Sequence, residues 1–172
     1  MINIVLFEPE IPQNTGNIMR TCAGTGAKLH LIKPLGFSLN DRYVKRSGVN
    51  YIEKCNYEVY ENYEDFLNKN SGGNFCFLTR YGKSIYTEYD YSDVNSNIYL
   101  IFGKESTGIP KQILKSNLNK TFRIPMNENI RALNLSNSVA IVLFEALRQQ
   151  NFLNLSRVEM IKGADYLEKS IE

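Results

Sequence analysis

The chain has 172 residues, 43% hydrophobic and 22% charged, with a formal net charge of +2, which suits one globular domain. A chain this long buries a core without disulfide or metal staples, and no apolar run approaches the ~20 residues that cross a membrane. So small a net charge does not by itself announce a nucleic-acid partner, and the distribution of charge says more.

The N-terminus, MINIVLFEPE, has no basic leader region and meets acidic residues at once. INIVLF (2–7) therefore reads as a first strand, not a signal peptide, and a cytoplasmic protein is expected. NTGNIMRTCAGTG reads as a short helix, with Asn14 or Thr15 as cap and Gly24 and Gly26 as its stop. KLHLI (28–32) is the second strand, broken by Pro34 and Gly36. Asn40 or Asp41 can cap a helical turn through RYVKRSG, where Arg42, Lys45 and Arg46 stand close together. Such a patch is either a solvated helix face or a surface that attracts phosphates. A short strand is expected within 51–60 and a helix over YEDFLNK (63–69).

NFCFLT (74–79) alternates little and so reads as a strand buried on both faces. IYLIFG (98–103) is another, Pro110 suits the first turn of a helix running to about Asn117, and TFRIP (121–125) is a short strand stopped by Pro125. In IRALNLSNSVAIVLFEALRQQ (130–150) a polar loop abuts an apolar helix, with Ser136 or Asn137 available as cap. Val139, Val142, Leu143, Ala146 and Leu147 make one apolar face and Ile141 and Phe144 a second. That pattern means deep burial, or burial of one face by a partner chain. SRVEMIKGADYLEKSIE is expected to form an amphipathic tail helix interrupted at Gly163. The pattern predicts an α/β fold, a mostly parallel sheet with helices on both faces. It divides as one domain over 1–155 and a tail over 156–172.

Three cysteines, an odd number without a C-x-x-C pair, argue against a disulfide framework and a zinc site. His30, the single histidine, lies in the apolar run LHLI and reads as structural, which disfavours Ser-His-Asp or Cys-His chemistry. Three polar loops follow strands, where open α/β sheets bind ligands: EPEIPQNTGNIMR, FGKESTGIP and PMNENIRALNLSN. In the second, Gly103 and Gly108 have phosphate-loop spacing, but Ile109 and Pro110 replace the required Lys and Ser/Thr. The glycines still permit close approach of backbone to a ligand, or simply a tight turn. Glu105 between them could accept a hydroxyl hydrogen bond. Arg20 offers a phosphate-binding fork or is an ordinary surface arginine.

Together, EPEIPQNTGNIMRTCAGTGAKLHLIKPLGF, KRSGVNY, IFGKESTGIP and RIPMNENIRALNLSNSVAIVLFEALRQ resemble the SPOUT superfamily of RNA methyltransferases, TrmL/YibK type, over roughly residues 2–150. The resemblance implies a C-terminal segment threaded into a deep trefoil knot, an exception to the rule against threaded chains. It implies S-adenosylmethionine as methyl donor, no metal, and methyl transfer to the ribose 2′-hydroxyl of the wobble nucleotide (position 34, cytidine or modified uridine) of leucine tRNAs. Alternatives are another tRNA or rRNA site, or a non-catalytic RNA-binding protein.

Carried over motif by motif, donor contacts fall at Leu78, Gly103, Ile124 and Ala132. Met126 and Leu133 are candidate walls, and Gly108 belongs to the same loop set. The reacting centre matches Asn14, Arg20, Glu105 and Asn134. A guanidinium is a cation and a poor base, so the role that suits Arg20 is gripping a substrate phosphate and stabilising the developing alkoxide. The family often has Ser where Ala132 stands and Tyr where Phe144 stands, which removes two polar groups. The resemblance further implies a homodimer packed through the first and last helices. With no separate RNA-binding domain, that dimer would hold the anticodon stem-loop of tRNA, with Arg42, Lys45 and Arg46 as phosphate contacts.

Overall fold

The structure, a computed structural model, describes residues 1–40, 44 and 53–169. Among these, seven strands form one sheet in the order β3-β2-β1-β6-β4-β7-β5. They are β1 (Ile2–Phe7), β2 (Lys28–Ile32), β3 (Tyr57–Tyr60), β4 (Asn74–Leu78), β5 (Ser84–Ile85), β6 (Ile98–Phe102) and β7 (Thr121–Arg123). Every pairing is parallel. The helices are α1 (Pro12–Thr25), α2 (Tyr63–Lys69), α3 (Lys111–Lys115) and α4 (Leu135–Gln149).

The central strands are buried on both faces, and their alternation divides one core into two layers. Ile2, Ile4 and Leu6 of β1, with Ile98, Leu100 and Phe102 of β6, face the layer holding Ile18, Met19, Val139, Val142 and Leu143 of α1 and α4. Val5, Phe7, Tyr99 and Ile101 face the opposite layer, which is rich in rings. There Phe66 of α2 lies 5.3–5.9 Å, centroid to centroid, from Tyr60, Phe75, His30 and Tyr99. Two-sided burial is why these strands read as continuous apolar runs.

His30 sits inside this layer as the sequence predicts. Asn3 donates to main-chain carbonyls at Met1 and Ile98, which leaves its Oδ1 as acceptor for His30 Nε2 at 3.1 Å. His30 Nδ1 then accepts from the Tyr60 hydroxyl at 2.7 Å. That pattern needs neutral imidazole, and burial, ahead of the nearby Lys28 charge, lowers the His30 pKa to about 4. The unfolded chain takes up this proton near pH 6.5 and the folded chain only near 4, so stability is lost as pH falls between those values. The expected loss is about 3 kcal/mol. Urea denaturation across that window should show it, and His30→Gln should flatten the slope; an equal slope in the variant would refute the assignment.

Three boundaries differ from those expected. α1 begins at Pro12, and Ile11 occupies its cap position without a side-chain hydrogen bond. Proline at the first turn needs no partner for an N–H, so Asn14 is released from capping and stands inside the first turn. The α4 cap is Asn134, whose Oδ1 accepts from the N–H groups of Ser136 and Asn137, the two residues expected to cap. Third, the expected tail helix is not formed over 156–169, which runs in bends and turns. Gly163 adopts φ +95°, and Ile161 and Leu167 are more than 90% exposed, so no apolar face is buried to hold so short a helix. Phe152 and Leu155, just before it, pack against the core.

β7 lies between β4 and β5, although β5 follows β4 closely in sequence and β7 comes much later. The connecting loop is pressed onto β7: Thr79 N–H donates to the Phe122 carbonyl at 2.9 Å and Lys83 N–H to the Thr121 carbonyl at 3.1 Å. A Cβ on Gly82 would lie 2.3 Å from the Phe122 carbonyl carbon, so only glycine lets the loop close over the later strand.

Candidate active site

β1 and β6 are neighbours, yet their chain continuations diverge to opposite sides of the sheet, which makes a switch point where ligands bind. The carboxyl ends of β4, β6 and β7 open there into a cavity of about 680 Å³. Leu78, Phe102, Ile109, Ile124, Met126 and Leu133 make its apolar wall, and Asn14, Glu105 and Asn134 its polar end. Gly103, Gly108 and Ala132 line it as well. Ten of the eleven candidate donor-site and catalytic residues therefore meet in one place.

Arg20 is the exception. It does not line the cavity and is exposed on α1. Six residues of helix rotate it about 240° from Asn14, onto the exposed stripe of Gln13, Asn17 and Gly24. The candidate RNA contacts Arg42, Lys45 and Arg46 lie outside the described residues.

Three carboxylates bind the loop after β1 to the loop after β6. Glu8 pairs with Lys104 at 2.7 Å. Glu10 accepts from the N–H and hydroxyl of Ser106, both at 2.9 Å, and these bonds lower its pKa. Glu105 points the other way, accepting from the N–H groups of Glu10 (2.8 Å) and Ile11 (3.3 Å) and from Asn14 Nδ2 (2.9 Å). Glu8 holds φ +49°, an uncommon conformation for a side-chain-bearing residue, where the chain turns from β1 into this clamp. A Cβ on Gly103 would fall 2.1 Å from Ile109 N and 2.2 Å from the Gly108 carbonyl carbon. Glycine is thus required for the 103–108 loop to fold back on itself.

The carboxylate sets the direction of a hydrogen-bond chain. Because Asn14 Nδ2 donates to Glu105, Asn14 Oδ1 faces outward and accepts from Asn134 Nδ2 at 2.9 Å. Asn134 Oδ1 in turn accepts from the N-terminus of α4 and from the Ser136 hydroxyl. Each amide retains a second N–H on the cavity wall, since a side-chain amide carries two. Two amide N–H groups held by a carboxylate and a helix terminus are suited to oxygen that gains negative charge. Among the described residues no cluster of His, Cys, Asp and Glu could hold a metal ion, and no helix is long and apolar enough to cross a membrane.

Sequence reasoning missed Glu8, Glu10 and Ser106, whose pairing joins segments almost a hundred residues apart. Arg80, Tyr81 and Arg131 on the cavity rim fall within the loops 78–82 and 124–136 that the resemblance implies, but were not singled out as site residues. The alternating acids in EPE were the available signal, but nothing local says what they bind.

An open parallel α/β sheet with a half-apolar, half-amide pocket at its carboxyl edge defines a small-ligand-binding α/β protein. Residues 1–144 match the SpoU rRNA Methylase family, and the chain belongs to that family. It is 52% identical over 155 residues, 90% of this chain and 99% of the relative, to a Geobacillus stearothermophilus protein provisionally named tRNA (cytidine(34)-2′-O)-methyltransferase. A solved structure described as giving structural insights into the 2-OH methylation of C/U34 on tRNA is 36% identical, with a TM-score of 0.81 over 88% of this chain and 97% of that one. An AdoMet-bound rRNA methyltransferase from Sinorhizobium meliloti is 26% identical, with a TM-score of 0.75 over 86% of this chain and 56% of that one.

Proposed function

We propose that this protein transfers a methyl group from S-adenosylmethionine to the ribose 2′-hydroxyl of nucleotide 34, cytidine or modified uridine, in leucine tRNAs, in the cytoplasm. The observation that carries the reading is the Glu105–Asn14–Asn134 chain on the cavity wall, in a member of a methylase family. The cavity fits the donor. Its apolar wall suits an adenine, loop backbone at Leu78, Gly103 and Ile124 can hydrogen-bond it, and Gly103 leaves room for close approach. When bound, S-adenosylmethionine supplies an electrophilic methyl group, so the demand on the protein is positioning.

The second N–H groups of Asn14 and Asn134 hold the ribose oxygen and stabilise its developing negative charge as the hydroxyl proton passes to water. Glu105 is a positioning residue, since both of its carboxylate oxygens are engaged by N–H groups. Asn134→Asp separates the two duties of that residue. Aspartate still caps α4, so the helix should remain formed by circular dichroism, while a carboxylate oxygen set against Asn14 Oδ1 breaks that link and loss of the Nδ2 donor should slow transfer at least about tenfold. Transfer at the parent rate would remove Asn134 from the site.

The protein acts as a homodimer. α1 packs on α4, and each carries an exposed stripe of the same spacing: 13, 17, 20 and 24 on one, 137, 141, 144 and 148 on the other. Ile141 is 37% and Phe144 48% exposed there, an apolar face that a second copy would cover. Arg20 then stands at the subunit boundary, where it can grip an RNA phosphate. Arg42, Lys45 and Arg46 are proposed as further phosphate contacts to the anticodon stem-loop. Sedimentation equilibrium should give the dimer mass; a monomer at micromolar concentration counts against it.

Incubation with S-adenosylmethionine and leucine tRNA transcripts, followed by nucleoside mass spectrometry, tests the reaction. Expected is one 2′-O-methyl group at position 34. A deletion strain that keeps this modification in full would overturn the reading.

A further inference from the structure

A second recess, of about 400 Å³, adjoins the donor cavity and shares Arg80, Tyr81, Met126 and Arg131 with it. Arg123, from the end of β7, completes its basic lining, and Glu128 is its one acidic residue. Three guanidiniums against one carboxylate leave a local charge of about +2, as large as that of the whole chain. Among the described residues none of the three arginines forms a salt bridge. Like charges gathered without counter-ions are costly unless an anion joins them. Tyr81 is 65% exposed. The Arg80 guanidinium covers one face of its ring at 4.6 Å from the centroid and hydrogen-bonds its hydroxyl.

The methyl donor does not account for this lining. S-adenosylmethionine has one carboxylate, one ammonium and a sulfonium, so it is a net cation near neutral pH and is repelled by three arginines. A polyanion suits this lining, beside the methyl-transfer point. We propose that the recess holds the RNA strand flanking the methylated ribose: Arg80, Arg123 and Arg131 take its phosphates, and the open face of Tyr81 stacks on one neighbouring base. Arginine forks suit phosphate oxygens, and an aromatic face accepts any base, so the contact positions the strand without reading much sequence. The inference rests on the ribose-methylation reading above.

The test uses the full chain, a leucine tRNA transcript and S-adenosylmethionine. Arg123→Ala and, as an exposed variant that tolerates truncation, Arg80→Ala should each raise the KM for tRNA about tenfold with a smaller change in kcat. Each should also lower the slope of log Kd for tRNA against log salt by about one ion. Tyr81→Ala should weaken tRNA binding about tenfold and Tyr81→Phe should restore most of it. Donor affinity by calorimetry should stay within about twofold in Arg123→Ala, the variant outside the donor cavity. Unchanged KM and salt slope in both arginine variants, with the parent methylating tRNA normally, would overturn the recess assignment alone. If the parent fails to methylate ribose, the functional reading fails instead, and the salt slope of tRNA binding still decides whether the recess holds RNA.

Discussion

Glu105→Gln should lower the single-turnover rate of methyl transfer about a hundredfold, equivalent to roughly 2–3 kcal/mol, with the protein still folded. The carboxylate accepts three N–H groups, two from the Glu10–Ile11 main chain and one from Asn14. An amide in its place offers one acceptor oxygen and points its own NH2 at a donor. Either the main chain at residues 10–11 or the Asn14 side chain then loses its partner. If Asn14 turns over to compensate, its oxygen no longer faces Asn134 Nδ2, and the second link fails with the first. Circular dichroism should change little, because no hydrophobic core side chain is altered. Single-turnover rates within threefold of the parent would show that Glu105 does not orient the site.

Gly103→Ala should have the largest effect on the donor pocket. The added methyl would meet the main chain at Gly108 and Ile109, at 2.1–2.2 Å, and backbone cannot rotate away as a side-chain tip can. The 103–108 loop must open, which should cost about 1–3 kcal/mol of stability and weaken S-adenosylmethionine binding by about tenfold or more. Gly72→Ala, with nothing within 4 Å of the new methyl, is the matched control and should bind donor as the parent does. Isothermal calorimetry on both variants checks the pair, and equal affinities would mean that the loop is not part of the donor site.

The strands of the central sheet were readable because each is short, apolar and closed by a breaker. That local pattern survives folding unchanged when both faces are buried. His30 was readable for a related reason, since a lone imidazole inside an apolar strand run is neutral and enclosed. The helix caps were not. Asn134 is one of several polar residues in ALNLSNS that can serve a helix terminus, and local chemistry scarcely distinguishes them. The choice is made by Asn14, 120 residues away in the chain, which binds the Asn134 amide nitrogen and so turns its oxygen toward α4. At α1 the same competition resolves oppositely. Pro12 begins the helix, and Asn14 is left for Glu105 and Asn134.

The sequence by itself determined the alternation of strand and helix and the burial of the central strands, and the family its motifs resemble pointed to ten residues that meet in the cavity. The strand and helix pattern follows from spacing and residue type, which act over a few residues; the cavity residues follow only from the resemblance to a family. Tertiary structure alone decided that the Glu10 and Glu105 clamps lock two loops together, and that β7 enters between β4 and β5. It also decided that Arg20 lies outside the pocket lining while Arg80, Arg123 and Arg131 gather beside it. Each of these depends on which distant segments the sheet order brings together, and on the rotation of each helix about its axis. Neither is encoded in any window of chain short enough to carry a local pattern.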